Sequence, residues 1–337
     1  MLNNYKYFLV LAEELNISSA AKRLYISHQS LSKYLKGLEE KHGVAFFERK
    51  PKISLTAAGS IMLNTLRQIE LLDQNMENQL TDLKEDKSGT IHFGITEGRY
   101  PIIVPKLLKE FYDLHPKVEL IIHRATSPRM QEMVLNNSLD LFLSGVDNIV
   151  TSNVKYETIL HEQMYIVISG NLLKQYFPEQ YPGCIDTFAQ GADLSLFQHV
   201  PFVLNKKNFN SRILLDKHLS ERGISLNCIN ELTQPDIHHL LCAEDYAASF
   251  CLTMYLSGID ALNESGNTNS HLHVFPIADF AYFNPLALIY HRNKIFPSYI
   301  EDLKKIVKRY CNPEPLPPAG LRRLEGLLCI QRLNTCS

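Results

Sequence analysis

The sequence predicts a mixed fold: an α+β winged helix-turn-helix head, a long linker helix, and a two-lobed α/β body. Three observations predict it. Residues 16–42 place Ala20, Ala21, Leu24, Ile26, Leu31, Leu35 and Leu38 at spacings that bury one side of two short helices. Within 57–85, Met62, Leu66, Ile69, Met76, Leu80 and Leu83 follow heptad spacing. Past residue 89, continuous apolar strands alternate with helical segments, which implies a parallel sheet covered on both faces. The expected boundaries are 1–58 for the head, 59–88 for the linker helix and hinge, 89–311 for the body and 312–337 for a tail. Within the body the first lobe takes about 89–163 and 269–311, and the second about 164–268.

Each element has a local reason. Residues 3–15 form a first helix, with Tyr7, Phe8, Val10, Leu11 and Leu15 as its apolar stripe. Ser18 occupies an N-cap position for ISSAAKRLY. Ser27 caps the next helix, which runs to about His42 and stops at Gly43. Its polar side shows Ser27, His28, Gln29, Ser30, Ser32, Lys33 and Lys36. A helix of this kind can enter a DNA major groove and present short polar side chains to base edges. FFERKPKISLT reads as strand, basic turn and strand: a wing with Arg49, Lys50 and Lys52 at its tip. Thr56 caps the long helix, in which Asp73 fills the missing heptad position. A helix so long cannot bury its seam alone and reads as a dimerisation helix; packing against its own domain is the alternative. KEDKSG (84–89) is a charged hinge.

In the body, TIHFGI (90–95), VELIIHR, DLFLSG, PFVLN (201–205), LNCINEL (226–232), YAASFC, HVFPI and PLALIYHR read as strands. Between them, IIVPKLLKEFYDLHP, MQEMVLNNSL, RILLDKHLSERG and PDIHHLLC read as helices, with PSYIEDLKKIVKRYC last. Two α/β lobes with a cleft between them satisfy this order. In the tail, NPEPLPPAG breaks the last helix and LRRLEGLLCIQRL returns to helical spacing. That segment reads either as a small amphipathic helix docked on a neighbour or as a disordered extension.

Composition narrows the class. At 337 residues, 45% hydrophobic and 21% charged, the chain fits an ordinary globular protein of two or three domains. Residues 1–60 hold nine Lys or Arg against five Glu, a net +4, which leaves −6 for the rest of a chain of formal charge −2. A basic head on an acidic body suits a nucleic-acid module joined to something that need not touch phosphate. No apolar run reaches the roughly 18 residues of a membrane span, and YFLVLA flows into AEELN without a small-residue cleavage site. The expectation is a cytoplasmic protein with no membrane partner. The seven cysteines (184, 228, 242, 251, 311, 329 and 336) are scattered without a C-x-x-C, as reduced thiols are.

LAEELNISSAAKRLYISHQSLSKYLKGLEEKHGVAFFERKPKISLTAAG carries many landmarks in one order. Together with Phe8 just upstream, they are Ala12-Glu13, Ser19-Ala20-Ala21, Leu24, Ile26-Ser27, Leu31-Ser32, Leu38-Glu39, Gly43, Phe46-Phe47, Arg49 and Leu55-Thr56, with Ala58-Gly59. This stretch resembles the winged helix-turn-helix of LysR-type transcriptional regulators. The resemblance covers residues 1–60 by motif and the remainder to about 311 by architecture. It implies a linker helix, an effector domain like the periplasmic binding proteins, and a homodimer or homotetramer on promoter DNA. It also implies a small-molecule effector, a small organic acid or aromatic, with RNA polymerase as a further partner. Two departures stand out. His28-Gln29-Ser30 replaces the common Gln-Pro-Ala after the capping serine, and Tyr246-Ala247-Ala248-Ser249 replaces a glycine-rich strand.

On the DNA side, Gln29 suits a bidentate contact to adenine, and Ser27, His28, Ser30 and Ser32 lie on the same face. Lys33, Lys36, Arg49, Lys50, Lys52 and the Thr56 hydroxyl suit phosphates. For the effector, ligands of open α/β sheets bind beyond strand carboxyl ends. That rule selects Thr96, Glu97 and Arg99, Thr126 and Ser127, and Ser144 in the first lobe. In the second it selects Phe202, Asn205, Thr233, Gln234 and Ala248. Arg99 can meet an anion or pair with Glu97. Neither His238-His239 nor His271-x-His273 has metal-ligand spacing, and no enzyme signature occurs, so no metal, cofactor or catalytic residue is expected. The remaining alternatives are a ligand-independent DNA-binding protein with a filled cleft, and a redox sensor using Cys184 or Cys228.

Overall fold

The computed structural model describes residues 4–49, 52–84, 87–146, 149, 153–266, 268–280 and 284–311. The head begins with α1 (Tyr5–Glu14), α2 (Ile17–Arg23) and α3 (His28–His42). Phe8, Leu11, Ala20, Leu31, Leu35, Phe46 and Phe47 are its buried core. The cap of α2 is Asn16, whose side chain accepts from Ser19 N–H at 3.0 Å, and not Ser18. Asn and Ser compete for this role on similar terms, and Asn16 is the one held in extended backbone. Ser27 caps α3 and Gly43 ends it at φ 69°, a left-handed conformation glycine adopts freely. β1 (Phe47–Glu48) pairs antiparallel with β2 (Ser54–Leu55) as the wing. Its tip residue Lys50 lies outside the described residues, as does the tail 312–337.

The linker helix α4 (Ala57–Asp82) starts at Thr56. The Thr56 hydroxyl accepts from Gly59 N–H at 2.9 Å and donates to Ala45 O at 2.7 Å. At Gly59 a Cβ would lie 2.0 Å from Phe46 O, so only glycine lets the helix start this close to the wing. The heptad seam divides. Met62, Leu66 and Ile69 pack against the head's own core, and Asp73 accepts from Tyr5 OH at 3.0 Å. Met76, Leu80 and Leu83 are exposed, beside exposed Leu72. The opposite face docks on the body. Asn75, 4% exposed, donates to Asn293 O at 2.7 Å and accepts from Ile295 N–H at 2.8 Å. Asn78 donates to Ile295 O at 2.7 Å, and Asp82 accepts from Ser298 N–H at 2.9 Å.

The first lobe is built on β3 (Gly89–Ile95), β4 (Val118–Arg124), β5 (Leu141–Gly145), β6 (Val154–Glu162) and β12 (Asn284–His291), in the order β4-β3-β5-β12-β6. α5 (Tyr100–Leu114), α6 (Ser127–Leu135) and α12 (Tyr299–Cys311) cover it. The sheet is mixed and not fully parallel: β3 runs parallel to β4 and β5, whereas β12 is antiparallel to β5 and β6. The strand that returns from the second lobe enters from the opposite end.

The second lobe centres on β7 (Met164–Ser169), flanked antiparallel by β10 (Ser249–Leu252) and β11 (Leu272–Pro276). β8 (Pro201–Asn205) runs parallel to β9 (Asn227–Leu232) and joins β10 through a Phe202–Ala248 bridge. α7 (Gly170–Tyr176), α8 (Cys184–Ala189), α9 (Asn210–Arg222), α10 (Pro235–Ala243) and α11 (Leu256–Ser265) complete it. The chain crosses between lobes at Gln163 and again between Pro276 and Asn284. The second crossing comes later than residue 269, because β11 spends its hydrogen bonds on β7.

Candidate DNA interface and effector cleft

The buried stripe of α3 fixes which side chains face outward. Leu31 and Leu35 are anchored in the head core, and His28, Gln29, Lys33 and Lys36 are exposed. Ser30, also exposed, takes part in the helix cap. Its N–H donates to Ser27 Oγ at 3.0 Å and the two hydroxyls lie 2.8 Å apart, so both serines are engaged in the cap. Ser32 is half-buried. Lys36 Nζ lies 3.6 Å from Glu40, one turn on. Arg49 is tethered at 3.4 Å to Glu39, which also accepts from Phe46 N–H at 2.9 Å. Lys52 is exposed. Thr56 has its proton on Ala45 O and a lone pair on Gly59 N–H. Its hydroxyl joins wing to linker and has no proton left to donate to a phosphate.

Between the lobes lies a cleft of about 380 Å³. Thr96, Glu97, Arg99, Thr126, Ser127, Ser144 and Asn205 line it, as the strand-end rule expected. Ser127 and Ser144 are hydrogen-bonded to each other across the α6 start. Thr126 stands at the N-cap of α6 without a side-chain hydrogen bond to the first turn, in which Pro128 has no N–H to offer. Arg99 pairs with Glu162 at 2.7 Å, not with Glu97, and also donates to Thr96 Oγ1 at 3.2 Å. Glu97 pairs instead with Arg124 at 3.1 Å. Glu162 is fully buried, and burial pushes its carboxyl up against the pull of the Arg99 guanidinium. Among the described residues its Oε1 has no hydrogen-bond partner.

Four expected residues are not in the cleft. Phe202 is fully buried and stacks on Phe250 with centroids 5.2 Å apart; Phe250 is the ring that reaches the cavity. Ala248 is core, bridged to Phe202. Thr233 and Gln234 are exposed, because β9 lies outboard of β8 and its carboxyl end turns to solvent. The apolar wall is instead Met164, Phe209, Phe250, Leu252 and Tyr255. Strand parity pointed to it: Phe250 follows Ala248 by two residues, on the face opposite Ser249.

Cys184 is buried and Cys228 exposed, and burial pushes both thiols up, away from the reactive thiolate. Burial, with His238 beside His239 and His271 beside His273, pulls the imidazoles of His239 and His273 down to about 4. Among the described residues no three His, Cys, Asp or Glu side chains gather as a metal site. Among the same residues, no helix is long and apolar enough to cross a membrane.

Residues 2–60 match the bacterial regulatory helix-turn-helix model of the lysR family, and residues 84–312 match the LysR substrate binding domain. The chain belongs to the LysR family. This LysR-family protein is a DNA-binding transcriptional regulator with an effector-binding domain, and not an enzyme. It is 23% identical over 311 residues to the HTH-type transcriptional regulator YtlI of Bacillus subtilis, covering 92% of this chain and 94% of that one. It is 30% identical to the regulator AlsR of the same organism over 142 residues, 42% of this chain and 47% of that one. Its fold resembles a full-length OxyR variant from Pseudomonas aeruginosa, with a TM-score of 0.65 at 18% identity over 91% of this chain and 97% of that one. The full-length CbnR structure, solved with its target DNA, superimposes with a TM-score of 0.51 at 18% identity, over 92% and 99% of the two chains.

Proposed function

We propose that this regulator reads promoter DNA through the first turn of α3 and is switched by a small organic acid held between the lobes. His28 and Gln29 read base edges, while Lys33, Lys36 and Lys52 hold phosphates, with Lys50 at the wing tip. RNA polymerase is the partner through which promoter occupancy in the cytoplasm becomes transcription. Two chains pair through the exposed half of the α4 seam, as a dimer or as a pair of dimers.

The observation that carries the effector reading is the asymmetry of the cleft. Hydroxyls of Thr96, Thr126 and Ser127 and the N-terminal end of α6, which has no side-chain cap, form one wall. Phe209, Phe250, Leu252 and Tyr255 form another. Uncapped helix N–H groups favour a carboxylate, and the apolar wall favours an aromatic or branched body. Arg99 is already neutralised by Glu162, so the helix end supplies the positive field. An open cleft of this size also argues against the ligand-independent alternative.

The test is footprinting of the wild-type protein on the upstream region of its own gene, with and without carboxylates selected by thermal shift. The expected result is a ligand that raises the melting temperature and alters the footprint, with both effects weakened in Ser127→Ala. A carboxylate that binds tightly and leaves the footprint unchanged would sink the coupling.

A further inference from the structure

Tyr25 occupies the turn between α2 and α3 at φ 55°. The turn closes as a Schellman motif: Tyr25 N–H donates to Lys22 O at 3.2 Å, and Ile26 N–H donates to Ala21 O at 3.0 Å. The left-handed position of this motif suits glycine, then asparagine, because a larger side chain crowds the adjoining carbonyl. Elsewhere the chain uses that solution. Gly43, Gly223 and Gly266 end α3, α9 and α11 at φ 69°, 64° and 68°.

An aromatic residue in this conformation is strained, and strain persists where something outside the local backbone retains it. Packing does not retain Tyr25, because the residue is 96% exposed. Leu15, the other large side chain in left-handed backbone at a helix end, is 43% exposed. The neighbours Leu24 and Ile26 both pack against the head core, so the turn is anchored on either side and Tyr25 alone stands out. It lies two residues before Ser27, the cap of α3, at the same end of the helix as His28 and Gln29.

We infer that Tyr25 is a DNA-backbone contact. Its hydroxyl donates to a phosphate oxygen beside the bases met by His28 and Gln29, and its ring covers the adjoining deoxyribose. A neutral donor at this place sets the depth and register of α3 without releasing a counterion, the role that phosphate contacts have beside base contacts. The inference rests on the reading of α3 as the DNA-facing helix.

The test uses the full-length protein, a duplex carrying its own promoter segment and a scrambled duplex of equal length. The variants are Tyr25→Asn and Tyr25→Phe, with Gln29→Ala and Lys33→Ala as controls. Asn tolerates the left-handed backbone, so Tyr25→Asn keeps or raises the melting temperature. It weakens binding to both duplexes by about tenfold or more, the scale of a hydrogen bond to a charged oxygen. Its salt slope stays at the wild-type value, whereas Lys33→Ala flattens the slope by about 0.9. Tyr25→Phe loses most of the same affinity. Wild-type affinity in Tyr25→Asn overturns the inference. So does a drop of several degrees in its melting temperature, which would make the ring structural. A loss confined to the promoter duplex overturns the backbone contact in favour of base reading, and a changed oligomeric state assigns the ring to a second copy. If Gln29→Ala and Lys33→Ala also bind normally, the reading of α3 itself has failed; if they alone are weakened, only the role of Tyr25 has.

Discussion

A buried neutral histidine ties stability to pH. His239 is 4% exposed on α10, and burial holds its imidazole at about 4 against an ordinary value of 6.5. In the unfolded chain it takes up a proton as pH falls through 6.5, while the folded chain resists until about 4. The unfolded state therefore binds more protons in that window, and stability is lost as pH falls through it. His273 on β11 adds to the loss in the same window and direction. For His239 alone the full loss is about 3 kcal/mol. Urea unfolding at pH 7.5, 6 and 5 should show the midpoint falling steadily, with a shallower slope in His239→Gln. An unchanged slope in that variant would place the acid sensitivity elsewhere.

At the scale of elements, α4 is the joint of the protein. Removing the Asn75 amide leaves Asn293 O and Ile295 N–H without their partner, at a cost of about 2–3 kcal/mol. Asn75→Ala should speed hydrogen exchange in residues 293–298 and shrink the effector's influence on the footprint while DNA affinity persists. Protection equal to wild type would show that the joint is held by other contacts. The ends of elements were legible because their causes are local: Ser27, Gly43 and Thr56 each act within four residues. Sequence alone does not separate Asn16 from Ser18 at the start of α2, since both are good caps and only backbone geometry distinguishes them. The heptad pattern marks an apolar face on α4 but not its partner: Met62, Leu66 and Ile69 meet the head, whereas Met76, Leu80 and Leu83 stay exposed. Of the eleven positions expected from strand ends, seven line the cleft. The Arg99–Glu162 pairing does not follow from them, because a contact 63 residues apart leaves no local signature, whereas Phe250 sits two residues beyond Ala248 on the same strand face. β6 is not legible in the sequence, because most of it is exposed and it lacks the continuous apolar run of a buried strand.

For the whole molecule, the unpaired half of the α4 seam is the face on which the proposed dimer rests. Leu72, Met76, Leu80 and Leu83 are 66%, 49%, 45% and 83% exposed on a helix otherwise occupied by the head and body. An apolar stripe of this kind on a surface helix is the usual mark of an interface. The double variant Met76→Lys, Leu80→Lys should sediment as a monomer and bind a single half-site weakly while keeping its melting behaviour. A variant that remains dimeric would move the interface off this helix. The chain passes between the lobes at Gln163 and again between Pro276 and Asn284, and one buried cluster holds Ile103 and Leu107 of the first lobe with Tyr255 and Ile259 of the second, so any change in their angle has to repack it.

The overlap of contacts along α4 also governs how heads and bodies can be exchanged between relatives. Arg67 O accepts from Asn137 of the body, whereas Asp73, farther along the helix, accepts from Tyr5 of the head. The two partners interleave over two turns, so no cut inside α4 separates them cleanly. A working chimera should carry the helix with its body and accept a foreign head only if that head brings a hydroxyl to the place of Tyr5. Grafts that ignore this would leave Asp73 without its donor, and relatives that differ at one of these positions should differ at the other.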